Sequence, residues 1–171
     1  MRRIRLPLLT MLLALIAAVS GNPPGASPDA LPTVATIHYD ALSDRVQDLR
    51  GRVVVVDFWA DYCAPCKREF PKLVDLHQRY SRDGLTVLTL SLDDPADTDA
   101  RERVRRFLRD RNATCVNYLL DEPPAVWQAK LKIDGPPCVF VFNRRGELLK
   151  KYHDSVDYAD IERIVVDALK Q

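Results

Sequence analysis

The chain has 171 residues, 47% of them hydrophobic and 29% charged, and its formal net charge is +1. That length suits one domain with one hydrophobic core, and six glycines with twelve prolines exclude a fibrous or low-complexity chain. Charges of both signs are interspersed, so there is no basic footprint for nucleic acid and none is expected as a partner.

The first residues are atypical. Met1 to Arg5 is basic, Leu6 to Val19 is almost wholly apolar, and Ala17 to Gly21 is rich in small residues. This is the three-part order of a secretory signal. The apolar run is shorter than the roughly 20 residues that span a bilayer. Residues 1–20 are therefore expected to be a signal cleaved near Ser20, or an N-terminal anchor holding the protein to the membrane through residues 4–20. No cysteine lies near the end of the run, so a lipid-modified N-terminal cysteine is not available. Residues 21–32, with Pro23, Pro24, Pro28 and Pro32, read as a stiff linker. Residues 33–171 are left as the folded domain, expected to be a monomer.

Within it, Ile37 to Leu42 reads as a short edge strand, followed by the turn Asp48-Leu49-Arg50-Gly51. Val53 to Trp59 is a β-branched run of the kind found in strands covered on both faces, as at the parallel centre of an α/β sheet. Phe70, Leu73, Val74, Leu76, His77 and Tyr80 recur at helical spacing, which predicts an amphipathic helix over 64–81 with Pro71 kinking it. Leu85–Leu92 is the next strand, Thr98–Arg111 a helix and Cys115–Leu120 a strand, giving β-α-β-α-β. Ala125–Leu131 is a short helix, Cys138–Asn143 and Leu148–His153 form a hairpin across Asn143 to Gly146, and Tyr158–Leu169 is the closing helix.

The chemistry sits where the first main strand gives way to a helix. Cys63-Ala64-Pro65-Cys66 places two thiols three positions apart at a helix start. There the unpaired N–H groups and the positive end of the helix dipole favour a thiolate, so the Cys63 thiol is expected below the free value of about 8.5 and acts as nucleophile. Cys66, one turn in and less exposed, is placed to resolve the mixed disulfide. Half a zinc site and a structural disulfide are the competing readings. The other cysteines, Cys115 and Cys138, are single and His38, His77 and His153 are scattered, which does not suit four zinc ligands. A four-residue disulfide loop closes too little chain to act as a useful crosslink.

With Val56-Asp57-Phe58-Trp59-Ala60, Cys63-Ala64-Pro65-Cys66, Glu69 and Pro71, the sequence resembles thioredoxin-like proteins, specifically the exported TlpA/ResA-type branch. The resemblance runs from about Thr33 to the C-terminus. It implies an α/β thioredoxin-like fold: a central mixed β-sheet flanked by helices, with an N-terminal strand extension and an extra helix and strand over Thr98 to Leu120. It also implies a thiol-disulfide oxidoreductase of the periplasm, soluble or anchored to the inner membrane, that reduces disulfide-containing proteins and takes electrons from a membrane thiol carrier. Some such proteins serve cytochrome c maturation. No organic cofactor and no metal is implied, because the two sulfurs carry the electrons.

The resemblance also assigns residues. Ile133 to Val139 matches the family's cis-proline loop, with Pro137 against the cysteines and the preceding Gly135 and Pro136 pairing with an incoming peptide. An X-Pro bond tolerates the cis form at a cost of only about 0.5–1 kcal/mol, and a proline offers no N–H to leave unpaired beside a sulfur; an ordinary Pro-Pro turn is the alternative. Asp57, a carboxyl inside an apolar strand, coincides with the buried acid of cytoplasmic thioredoxins and would exchange a proton with Cys66; a partner-satisfied or partly exposed strand-end acid is the alternative. Glu69 matches a glutamate that the branch keeps near its cysteines, or sits on a solvated helix face. Trp59 is read as an aromatic shielding the site at the substrate surface, or equally as core, and Tyr62, also at the substrate surface, stands where the family has tryptophan.

Cys138 occupies the position after the cis-proline and Cys115 is extra. Cys138 is either near enough to Cys63 for an alternative disulfide or one more buried apolar residue; Cys115 and Cys138 are expected to be unpaired with each other. Two further functions compete: a copper-handling module in which two thiolates and a histidine, His153 being the late-chain candidate, hold Cu(I), and a disulfide-donating oxidant. A non-catalytic binding module is disfavoured by the intact pair.

Overall fold

A computed structural model of the chain describes Pro32 and residues 34–171; the signal or anchor over 1–20 and the linker up to residue 31 lie outside the described residues. The elements run β1 (Ala35–Ile37), α1 (Tyr39–Asp48), β2 (Val53–Trp59), α2 (Ala64–Tyr80), β3 (Leu85–Ser91), α3 (Thr98–Asp110), β4 (Val116–Leu120), α4 (Pro124–Leu131), β5 (Cys138–Phe142), β6 (Leu148–His153) and α5 (Tyr158–Leu169). The six strands form one sheet in the order β1-β4-β3-β2-β5-β6. β1, β4, β3 and β2 are parallel; β5 runs antiparallel to β2 and β6 to β5.

All seven residues of β2 are buried, as a β-branched run covered by helices on both faces requires. Alternation divides them. Val53, Val55 and Trp59 join Phe70, Leu73, Leu76, Val104 and Ile161 from α2, α3 and α5. Val54, Val56 and Phe58 join Leu42, Val46, Trp127 and Leu131 from α1 and α4. The two cores lie on opposite faces of the sheet.

The α3–β4 unit is the insertion the sequence pointed to. β4 sits between β3 and β1, so among the described residues β1 pairs with β4 alone, Ala35 opposite Tyr118. The expected edge strand over Ile37–Leu42 is corrected: the strand is Ala35–Ile37, and Tyr39–Asp48 is a helix. Leu42 and Val46, four apart, are its buried residues, one turn from each other on the helix face that meets the second core. α2 continues through Pro71 to Tyr80. The remaining elements match the expected ones to within a residue or two at their ends.

Candidate active site

β2 ends at Trp59, whose carbonyl accepts the Leu92 amide at 2.8 Å, and the chain turns through Ala60 to Cys63, closed by the Cys63 amide on the Ala60 carbonyl at 3.0 Å. A carboxylate fixes this turn from the loop after β3: Asp93 Oδ2 accepts the Asp61 amide at 2.8 Å and the Ser91 hydroxyl at 2.6 Å. Cys63 is the N-cap of α2, its sulfur accepting the Cys66 amide at 3.3 Å, and Pro65 stands in the first turn, where a missing N–H costs nothing. Cys63 and Cys66 are joined in a disulfide with their Cα atoms 5.3 Å apart. The expected difference in exposure is absent in this oxidised form, with Cys63 at 5% and Cys66 at 7%. What distinguishes the two is place: Cys63 caps the helix and Cys66 lies inside it.

Beside the pair is a cavity of about 220 Å³, lined by Asp57, Pro65, Glu69, Pro137, Asp154 and Tyr158 among others. Asp57 reaches it from β2, on the face that carries Trp59. It is 4% exposed, and burial alone pushes its carboxyl up to about 7. Glu69 lines the same space and pairs with Lys72 on the outer helix face. The Pro136–Pro137 peptide is cis, and Gly135, Pro136 and Pro137 are half-buried. Tyr62 is 68% exposed next to Cys63.

Trp59 is a correction. It is wholly buried, its ring 4.9 Å from Phe107 and 5.3 Å from Phe70, so it presents no surface to a substrate and instead packs the floor behind the turn. The alternative disulfide of Cys138 is also corrected. Cys138 is in register with Phe58 and belongs to the second core, on the opposite face of the sheet from Cys63 and Cys66. Cys115 lies in the first core, both thiols are free, and burial pushes each up to about 12. His153 stands opposite Cys138 on β6, beside Asp154 at 3.4 Å. Among the described residues no three His, Cys, Asp or Glu side chains converge as metal ligands.

Sequence reasoning missed Asp93 and Tyr158. No spacing marks Tyr158; it reaches the cavity as the first residue of α5, set there by the Asp157 cap. Asp93 is two residues past the end of β3, and only the fold brings it to the cysteine turn.

A thioredoxin-like family model matches residues 51–148, more than half of the chain and the whole span from β2 to the start of β6. The chain belongs to the thioredoxin-like family. Among its relatives is the thiol-disulfide oxidoreductase ResA of Geobacillus kaustophilus, 27% identical over 70% of this chain and 64% of that protein. The ResA of Halalkalibacterium halodurans is 30% identical over 63% of this chain and 57% of its own length. The chain thus spans less than two thirds of the length of these relatives. A solved thiol-disulfide isomerase from Corynebacterium glutamicum superposes with a TM-score of 0.62 over 83% of this chain and 97% of that one, and at 20% identity it shares the thioredoxin-like fold. Cys63 and Cys66 lie within the matched residues, at the β2–α2 junction.

Proposed function

We propose that the protein is an exported thiol-disulfide oxidoreductase that reduces disulfides in extracytoplasmic proteins. The observation that carries this reading is a redox-capable pair, Cys63–Cys66, capping a helix beside a cavity that holds a buried carboxyl. The ResA relatives support the activity, and the signal-like segment 1–20 supports export or anchorage.

In the reduced protein the Cys63 thiolate attacks one sulfur of a substrate disulfide. A bond forms between Cys63 Sγ and that sulfur, the substrate S–S bond breaks, and the departing substrate thiolate takes a proton. Cys66 then loses its proton to Asp57 and attacks Cys63 Sγ; the bond between Cys63 and the substrate breaks, the second substrate sulfur leaves as a thiolate that takes a proton from solvent, and the Cys63–Cys66 disulfide remains. A carboxyl near 7 can accept that proton at neutral pH and return it later. Two electrons have passed to the substrate, and a dithiol donor, proposed as a membrane thiol carrier, restores the pair. Pro137, Pro136, Gly135 and Tyr62 form the proposed surface around the sulfurs for the substrate strand.

Equilibrating the full chain in glutathione buffers tests the direction. A potential near the roughly −270 mV of thioredoxin is expected of a reductase; a value near the roughly −120 mV of strong oxidants makes the protein a disulfide donor and overturns the reading.

A further inference from the structure

We infer that Asp61 is a positioning residue that holds the Cys63–Cys66 couple toward the reducing side, by setting one carboxylate between two cations beside the nucleophile. The inference rests on the thiol-disulfide reading and supplies a physical basis for its direction. Asp61 lies two residues before Cys63. Its Oδ1 accepts from Lys67 Nζ at 2.7 Å and its Oδ2 from Arg103 Nε at 2.9 Å. Lys67 also donates to the Asp61 carbonyl at 3.3 Å and lies 5.2 Å from the Phe107 ring. Lys67 is one helical turn beyond Cys63 on α2, its amide bonded to the Cys63 carbonyl at 3.1 Å, so its charge is on the face that carries the nucleophile. Arg103 comes from α3, within the inserted helix and strand.

The carboxylate is not needed to form the turn. The turn is already closed by the Cys63 amide on Ala60 and by Asp93 on the Asp61 amide. What the Asp61 carboxylate adds is charge. Lys67 and Arg103 each favour the Cys63 thiolate, and a stabilised thiolate stabilises the reduced protein and makes the couple more oxidising. One carboxylate shared between them leaves one net positive charge where there would be two. Other charged groups near this turn are Asp93 from the loop after β3, Asp97 at the start of α3, 4.0 Å from Arg103, Arg111 after α3, 5.4 Å from the Phe107 ring, and Asp57 and Glu69 on the cavity side. None of these forms an ion pair with Lys67, and of them only Asp97 reaches Arg103, at the 4.0 Å limit.

The test compares full-chain protein as wild type, Asp61→Asn, Arg103→Gln and the double variant. Two quantities are read: the pH dependence of Cys63 alkylation, followed by mass spectrometry of its peptide, and the potential in glutathione buffers. Asp61→Asn is expected to lower the Cys63 thiol by about half a pH unit and to raise the ratio of reduced to oxidised protein about threefold, equivalent to about 15 mV. Arg103→Gln shifts both in the opposite direction. The double variant, again with one net positive charge, returns close to wild type, and 1 M salt shrinks the single shifts. A purely structural role gives a double variant as perturbed as the worse single one. That result, or an Asp61→Asn protein with no shift or an upward one, overturns the inference; Arg103→Gln, on an exposed helix face, keeps the test decisive should Asp61→Asn fold poorly. Wild-type protein that does not exchange with glutathione at all sinks the thiol-disulfide reading instead.

Discussion

Two residues at the site ask for opposite environments. Cys63 wants to be an anion and is given a helix N-terminus; Asp57 carries a charge that burial penalises. The second fact has a pH signature. The Asp57 carboxyl is raised from 3.8 to about 7 in the folded protein, so between those values the native state holds a proton the unfolded chain has lost, and stability falls as pH rises through that window and levels off above it. Asp57→Asn removes this slope. Urea unfolding of the oxidised protein at pH 4 and pH 8 is therefore expected to show the variant gaining on wild type by about 2–4 kcal/mol across the interval. The same variant is expected to slow the resolving step in a stopped-flow assay, because Asp57 is the proposed proton acceptor of Cys66. Cys66→Ser is expected to accumulate a mixed disulfide between Cys63 and substrate, visible as a reducible adduct by mass spectrometry, whereas Cys63→Ser forms none.

At the scale of elements, the site stands on a floor of three aromatic rings from β2, α2 and α3: Trp59, Phe70 and Phe107, with centroids 4.9 to 5.3 Å apart. Phe107 belongs to the inserted helix, so the insertion is a structural part of the dithiol's support. Phe107→Ala is expected to cost about 3–5 kcal/mol in denaturant unfolding. It should also loosen Lys67, which rests over that ring. How much of this was legible follows from which signals are local. The β2 run, the cysteine motif and the amphipathic stripe of α2 announce themselves within a dozen residues. α1 does not: Ile37-His38-Tyr39 alternates like a strand, and the buried pair Leu42 and Val46 is diluted by Asp40, Ser43, Asp44 and Arg45. Trp59 and Cys138 stayed open between site and core for another reason. Whether a side chain in a doubly covered strand faces the site depends on register with its neighbours, as Cys138 opposite Phe58 shows, and register is not written in either strand alone.

For the whole molecule, the loops at the C-terminal ends of β2, β3 and β4 carry Asp61, Asp93, Asp94, Asp121 and Glu122, while the opposite end of the sheet carries Arg50, Arg52, Arg144 and Arg145. A chain of net charge +1 is thus polarised along its strands, an arrangement invisible to composition, which reports both signs as mixed. β1 is a three-residue strand at the sheet's edge with one neighbour. Its amides are expected to exchange with deuterium faster than those of β2 and β3, as hydrogen-exchange mass spectrometry of the N-terminal peptide can show.

That neighbour arrives late. Strand β1 has no partner until β4 has been made, and the contact that seals the corner, His38 on the Asp121 carbonyl at 2.7 Å, joins residues 83 apart. Closing so long a loop is slow compared with forming a local helix. A chain emerging N-terminus first therefore carries strand β1 without its β4 partner until some eighty further residues have been made, so this strand waits longer for its pairing than any other in the sheet.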